Sequence, residues 1–147
     1  MIKKSLREFA DDVIDRRSIS IVDVRMLNQD VMPDGIASRE EADVLIALDR
    51  RIGEQCEEWG DALVALLVDF VVWGARPTGV VRSEDAHWLA TSLGAGGGPT
   101  KTALRAAFEI VREAQQVDEA LLAFVMNGLR SGTWRSVVPF EPRRRAA

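Results

Sequence analysis

The sequence predicts an all-α fold: a single-domain bundle of about seven helices around a central apolar helix at 59–74. Three observations carry this. From Ala62 to Trp73 only Asp69 interrupts a run of apolar residues. Elsewhere apolar residues recur at helical spacing, with charges between them. Between these segments lie Pro, Gly and capping residues, and no long alternating run reads as a strand. The central run is short of the roughly 20 apolar residues a membrane span needs, and Asp69 lies within it, so it reads as a core helix. Its spacing sends Leu63, Leu66, Leu67, Phe70 and Val71 inward. A strip of Glu58, Ala62, Ala65, Asp69, Trp73 and Arg76 is left open.

The elements follow in order. Ile2, Leu6, Phe9, Ala10, Val13 and Ile14 define an amphipathic helix over 3–16. Ser18 is placed to cap a second helix, which must stop at Met32-Pro33-Asp34-Gly35. Ser38 and Glu41 form a capping box for a third helix running to Arg51, with Ala42, Leu45, Leu48 and Ile52 inward. The central helix breaks at 74–79. Ser83 then caps a fifth helix, 84–93, and Gly94 to Pro99 make a joint. Thr100 caps a sixth helix and Asp118 opens a seventh that ends at Ser131-Gly132. The single helical domain spans 1–132. A tail at 133–147 carries Trp134, Val137, Val138 and Phe140, expected to dock on the bundle, and the loose arginines Arg143-Arg144-Arg145.

Composition narrows the function classes. The chain has 147 residues, 47% hydrophobic and 29% charged, as expected of one globular domain. A net charge of −4 gives no field that attracts nucleic acid. The acidic residues crowd the first 60 positions, with 14 Asp+Glu against 9 Lys+Arg. Cys56 is alone, which excludes an internal disulfide and a cysteine metal cluster. The N-terminus has acidic residues where a signal peptide needs an apolar run, so cytoplasm is expected. Arg outnumbers Lys 16 to 3, a bias suggestive of a GC-rich bacterial genome.

Two joints match at an offset of 44. Residues 33–45 read PDGIASREEADVL and residues 77–89 read PTGVVRSEDAHWL. Pro stops the incoming helix, Gly permits positive φ, and an acidic first turn suits the outgoing helix. This suggests two EF-hand-like helix–loop–helix halves, 19–52 and 62–93, with Ile36-Ala37 and Val80-Val81 set to pair. Read as a calcium loop, the first joint offers Asp30, Asp34 and Glu41, with Glu40 beside them. Met32 occupies a position that needs an oxygen ligand, so structural punctuation is the stronger reading. The segment D34-G35-I36-A37-S38-R39-E40-E41-A42 resembles the joint of the tellurite-resistance TerB-like family. The resemblance implies a small, cytoplasmic, all-helical domain associated with metal or stress responses, with acidic residues implicated in metal binding and no established enzymatic activity. Thr78 stands where the second joint would carry the family's Asp.

No catalytic set is complete. Gly94 to Thr102 lacks the phosphate-loop spacing and has no preceding strand. His87, the only histidine, has Glu84 and Asp85 nearby on a helix start, which defines the enzyme alternative. Asp69 and His87 are therefore the candidate binding residues outside the first joint. No cofactor is expected beyond a divalent metal at that joint. The expected function is non-catalytic: a bacterial helical module of TerB-like type that binds a partner protein or takes part in a metal or stress response, without membrane or nucleic acid, with a structural homodimer as a further alternative.

Overall fold

The computed structural model describes residues 4–131, and the tail with Trp134 and Arg143–Arg145 lies outside them. The fold is an all-α bundle. Helices α1 (Lys4–Arg16), α2 (Ile21–Met26), α3 (Arg39–Arg51), α4 (Glu57–Val68), α5 (Ser83–Gly94), α6 (Lys101–Glu113) and α7 (Glu119–Ser131) follow one another, and α2 and α4 each continue into a π-helical turn, at Leu27–Val31 and Asp69–Trp73. No helix among the described residues is long and apolar enough to cross a membrane.

Helix α4 runs as its spacing predicts. Leu63, Leu67 and Val71 are buried with Val64 and Val72 beside them, and Glu58, Ala65, Asp69, Trp73 and Arg76 are exposed; Leu66 and Phe70, expected inward, and Ala62, expected open, are half-buried. The caps need two corrections. Ser20, not Ser18, caps α2: its hydroxyl accepts from the Asp23 amide and Asp23 bonds back to the Ser20 amide, a complete capping box. Arg82 takes the cap position of α5, which makes Ser83 its first helical residue. Ser38 and Thr100 cap α3 and α6 as expected, but the box at Ser38 is not closed, because Glu41 reaches back to the Ala37 amide and not to that of Ser38.

The strands are two-residue pieces. β1 (Ser18–Ile19) pairs in parallel with β2 (Glu54–Gln55), and β3 (Val80–Val81) with β4 (Gln116–Val117). Ile36-Ala37 forms no strand, so the expected pairing of the two joints does not occur. Gly35 and Gly79 do share positive φ, 82° and 81°. The joints are alike locally because both reverse the chain after a π-helical turn.

A different repeat organises the molecule. Ser18 to Val80 and Glu54 to Gln116 are both shifts of 62 positions, and the same shift carries α3 onto α6 end to end. Backbone bonds follow it. The Arg17 carbonyl accepts from the Gly53 and Glu54 amides at 3.0 and 3.2 Å; the Gly79 carbonyl accepts from Gln115 and Gln116 at 2.7 and 3.1 Å. Ile19 accepts from Cys56 as Val81 accepts from Asp118. Arg17 and Gly79 both have positive φ. The core keeps step: Ile19, Leu27, Val31, Leu48 and Leu63 correspond to Val81, Leu89, Leu93, Ile110 and Val125, all buried. Each unit is thus a helix, a short strand, two helices, a second strand and a closing helix. α4 closes the first unit through Trp59 and Leu63. It then opens the second, where Val71 and Val72 stand for Phe9 and Ala10 of α1. Serving two units requires apolar surface on most of the circumference, which explains why α4 is the most apolar segment.

Candidate functional site

The first joint and the end of α4 meet at one surface cleft of about 610 Å³, whose lining includes Asn28, Asp34, Gly35, Asp69 and Gly74. Asp34 and Asp69, 35 positions apart, are both exposed there. They meet because the π-helical turn at Asp69–Trp73 ends α4 beside the turn that Met32-Pro33 starts. Asp30 and Glu40 are also exposed. Glu41 is not: it is 2% exposed, and its Oε1 accepts from the Ala37 amide at 2.8 Å. Its carboxylate is spent on the start of α3. The four acidic residues singled out at this joint therefore do not assemble. Among the described residues no three His, Cys, Asp or Glu side chains form a group that holds a metal ion.

The second cleft lies between α3 and α5. His87, Trp88, Asp43, Arg50 and Ser92 line it. Trp88 Nε1 and Ser92 Oγ both donate to Asp43 Oδ1, at 3.0 and 2.7 Å. Arg50 donates to the Ser92 carbonyl at 3.0 Å. Arg39 pairs with Asp85, stands 3.8 Å from Glu84, and lies 5.3 Å from the centroid of the Trp88 ring. His87 Nδ1 is 2.8 Å from the Ser83 carbonyl, which requires the proton to sit on Nδ1. His87 is exposed, and its hydrogen bonds run to Ser83 and not to Glu84 or Asp85. Asp85 is engaged by Arg39, so the trio does not form an acid–base relay.

Two further carboxylates are buried, and both hold structure. Asp23 takes a bidentate pair from Arg16, both contacts 3.0 Å, besides its role in the cap. The guanidinium hydrogen bond holds the Asp23 carboxyl below the ordinary carboxylate range, against the opposing effect of burial. Asp49, 3% exposed, accepts from Trp59 Nε1 and Gln55 Nε2, both at 2.9 Å, and from the Thr100 hydroxyl. Thr100 is the cap of α6, so Asp49 ties the second unit to the first. Helical spacing gave a hint, since Asp49 sits between the inward Leu48 and Ile52. Nothing in the sequence pointed to Trp59 as its donor.

The exposed chemistry that sequence spacing missed is apolar. On α2, Ile21, Val22 and Met26 are open to solvent, Val22 at 62%. A shallow cleft adjoins Ile21, lined also by Val24, Arg25 and Glu58 among others. On α7, Leu122, Met126 and Leu129 are exposed. Comparison with protein-family models, with curated proteins and with solved structures finds no match to this chain.

Proposed function

We propose that this chain is a non-catalytic helical module of TerB-like type, bacterial and cytoplasmic, that acts by binding a partner protein. The observation that carries the reading is the apolar surface of α2, where Ile21, Val22 and Met26 stand in solvent and Ile21 lines a cleft with Arg25 and Glu58. Apolar side chains clustered on one short helix and rimmed by charges are the usual anatomy of a contact surface. The buried carboxylates support a scaffold: Asp23, Glu41 and Asp49 all hold helix ends or join units. The TerB-like part rests on the Asp34–Ala42 joint. The test is a stoichiometric complex purified with the full chain from its native cells. The double variant V22E/M26E is expected to lose the complex while keeping its helical spectrum. A complex equally loaded on the variant would overturn the reading.

A second reading has its own observation, the meeting of Asp34 and Asp69 at one cleft. A divalent cation would find two carboxylates there, with water completing its shell. Calorimetry with calcium, magnesium and zinc tests it. Micromolar binding abolished by Asp34→Asn would favour the metal response over partner binding. An enzyme working through His87 predicts instead that His87→Ala abolishes turnover at unchanged stability.

A further inference from the structure

We propose that α7 is the contact surface of a homodimer, with two copies of the chain pairing antiparallel along Leu122, Met126 and Leu129. The internal repeat supplies the first argument. The 62-residue shift carries Gly60, Val64 and Leu67 of α4 onto these three positions of α7. In the first unit this face is covered: Gly60 lies against Thr102 and Arg105 of α6, and Val64 and Leu67 are 6% and 0% exposed. In the second unit Leu122, Met126 and Leu129 are 41%, 52% and 38% exposed. The same helix face that is buried where one unit meets the next is open where the described chain ends. The side chains there are larger than their counterparts at the first two positions, so the open face carries more apolar surface to bury.

Spacing and charge select the occupant. Steps of four and three residues from Leu122 to Leu129 form the narrow seam of a two-helix pair, continued on the N-terminal side by Glu119. Arg130 lies beside the other end of that seam, its guanidinium held by Asn127. Laid antiparallel on a second α7, the seam sets Leu122 opposite Leu129, Met126 near the dyad, and Glu119 within reach of Arg130 from the partner. The face is therefore self-complementary in shape and in charge, which an isologous two-fold contact demands. Pairing α7 with the α2 face of another copy would be heterologous and would leave both ends open to further growth. The seam is only two turns long, so the dimer is a weak one, on the scale of small transient interfaces.

Sedimentation equilibrium of the full chain tests this, from about 10 μM to 1 mM, the range in which a small interface associates. A reversible monomer–dimer equilibrium is expected. Met126→Glu brings two carboxylates together near the dyad and should weaken association at least tenfold. Glu119→Arg and Arg130→Glu should each weaken it several-fold, and the double variant E119R/R130E should recover it. These positions are exposed, so urea midpoints should not move and folding is not confounded. A strict monomer throughout this range overturns the proposal. So does a dimer unaffected by Met126→Glu, a dimer lost on Met26→Glu of α2, or a double charge variant that fails to recover. A monomer whose residues 132–147 cross-link to α7 would show the chain covering its own seam and would equally overturn it.

Discussion

Where the first unit buries Asp49 and Trp59, the second carries Val111 and Leu121. The two units share backbone bonds, element order and core positions, yet one holds a polar node and the other does not. The difference follows from what each must support. The first unit receives the start of α6, whose capping hydroxyl on Thr100 needs an acceptor, and Asp49 provides it. The corresponding turn of α6 carries no such load among the described residues, and apolar side chains suffice. A repeat can thus keep its frame while its polar interior is rewritten wherever one unit joins the next.

The largest effect should come from breaking this node. Trp59→Ala removes a fully buried indole and should cost about 3–5 kcal/mol in urea unfolding. Asp49→Val leaves Trp59 Nε1 and the Thr100 hydroxyl without their acceptor, each a loss of roughly 1–3 kcal/mol. The double variant D49V/W59L imitates the second unit. It should cost clearly less than Asp49→Val and Trp59→Leu measured separately and added, because it removes a buried donor along with its acceptor. Simple additivity would mean that the node is not coupled and that the contrast between units has another origin.

Next comes the pair Asp23 and Asp85, equivalent under the repeat but paired differently. Asp23 is buried and bonded to Arg16 of its own unit, whereas Asp85 is partly exposed and bonded to Arg39 of the other unit. Asp23→Asn should cost about 1–2 kcal/mol at neutral pH through the cap and the guanidinium pair. Asp85→Asn should cost less than about 1 kcal/mol, as for exposed pairs. The pH dependence has a definite sign. Because folding lowers the Asp23 pKa, its contribution is complete above the ordinary carboxylate value. It falls away as pH drops through the lowered folded value. The parent chain and Asp23→Asn should therefore converge in stability at low pH, and a gap that stays constant on acidification would refute the pairing.

What was legible in the sequence was what is decided locally. The open strip of α4, the caps at Ser38 and Thr100, and the positive φ of Gly35 and Gly79 each follow from neighbours a few residues away. The offset of 44 stood out because two chain reversals need the same Pro and Gly. The offset of 62 stayed hidden because it conserves residue class more than identity, as in Ile19 with Val81 and Leu48 with Ile110. Strands of two residues are too short to show alternation, so β1, β2 and β4 left no signal. The cleft shared by Asp34 and Asp69 was half legible: each residue stood out, but their meeting depends on the π-helical turn after α4. The apolar faces of α2 and α7 could not be told from core faces, since spacing reveals amphipathicity and not which neighbour is missing.

The smallest effect tests the repeat at its tightest turn. Arg17 and Gly79 hold the same left-handed conformation, φ 57° and 81°, and both carbonyls accept two amides, from the first residue of the second strand of their unit and from the residue before it. An L side chain in that region costs about 1–2 kcal/mol, while glycine gives up roughly 0.5–1 kcal/mol of chain entropy on folding. Arg17→Gly should therefore stabilise the chain slightly, by up to about 1 kcal/mol, since Arg17 is exposed and its backbone bonds persist. Gly79→Ala should do the reverse. It acquires the left-handed cost, and its new Cβ would stand 3.3 Å from the Gln115 side chain, which can give way. Opposite signs in urea unfolding would show that the two turns solve one backbone problem with different residues. Equal signs would mean that the turns differ in the strain they carry, and that the equivalence of the units stops at their hydrogen bonds.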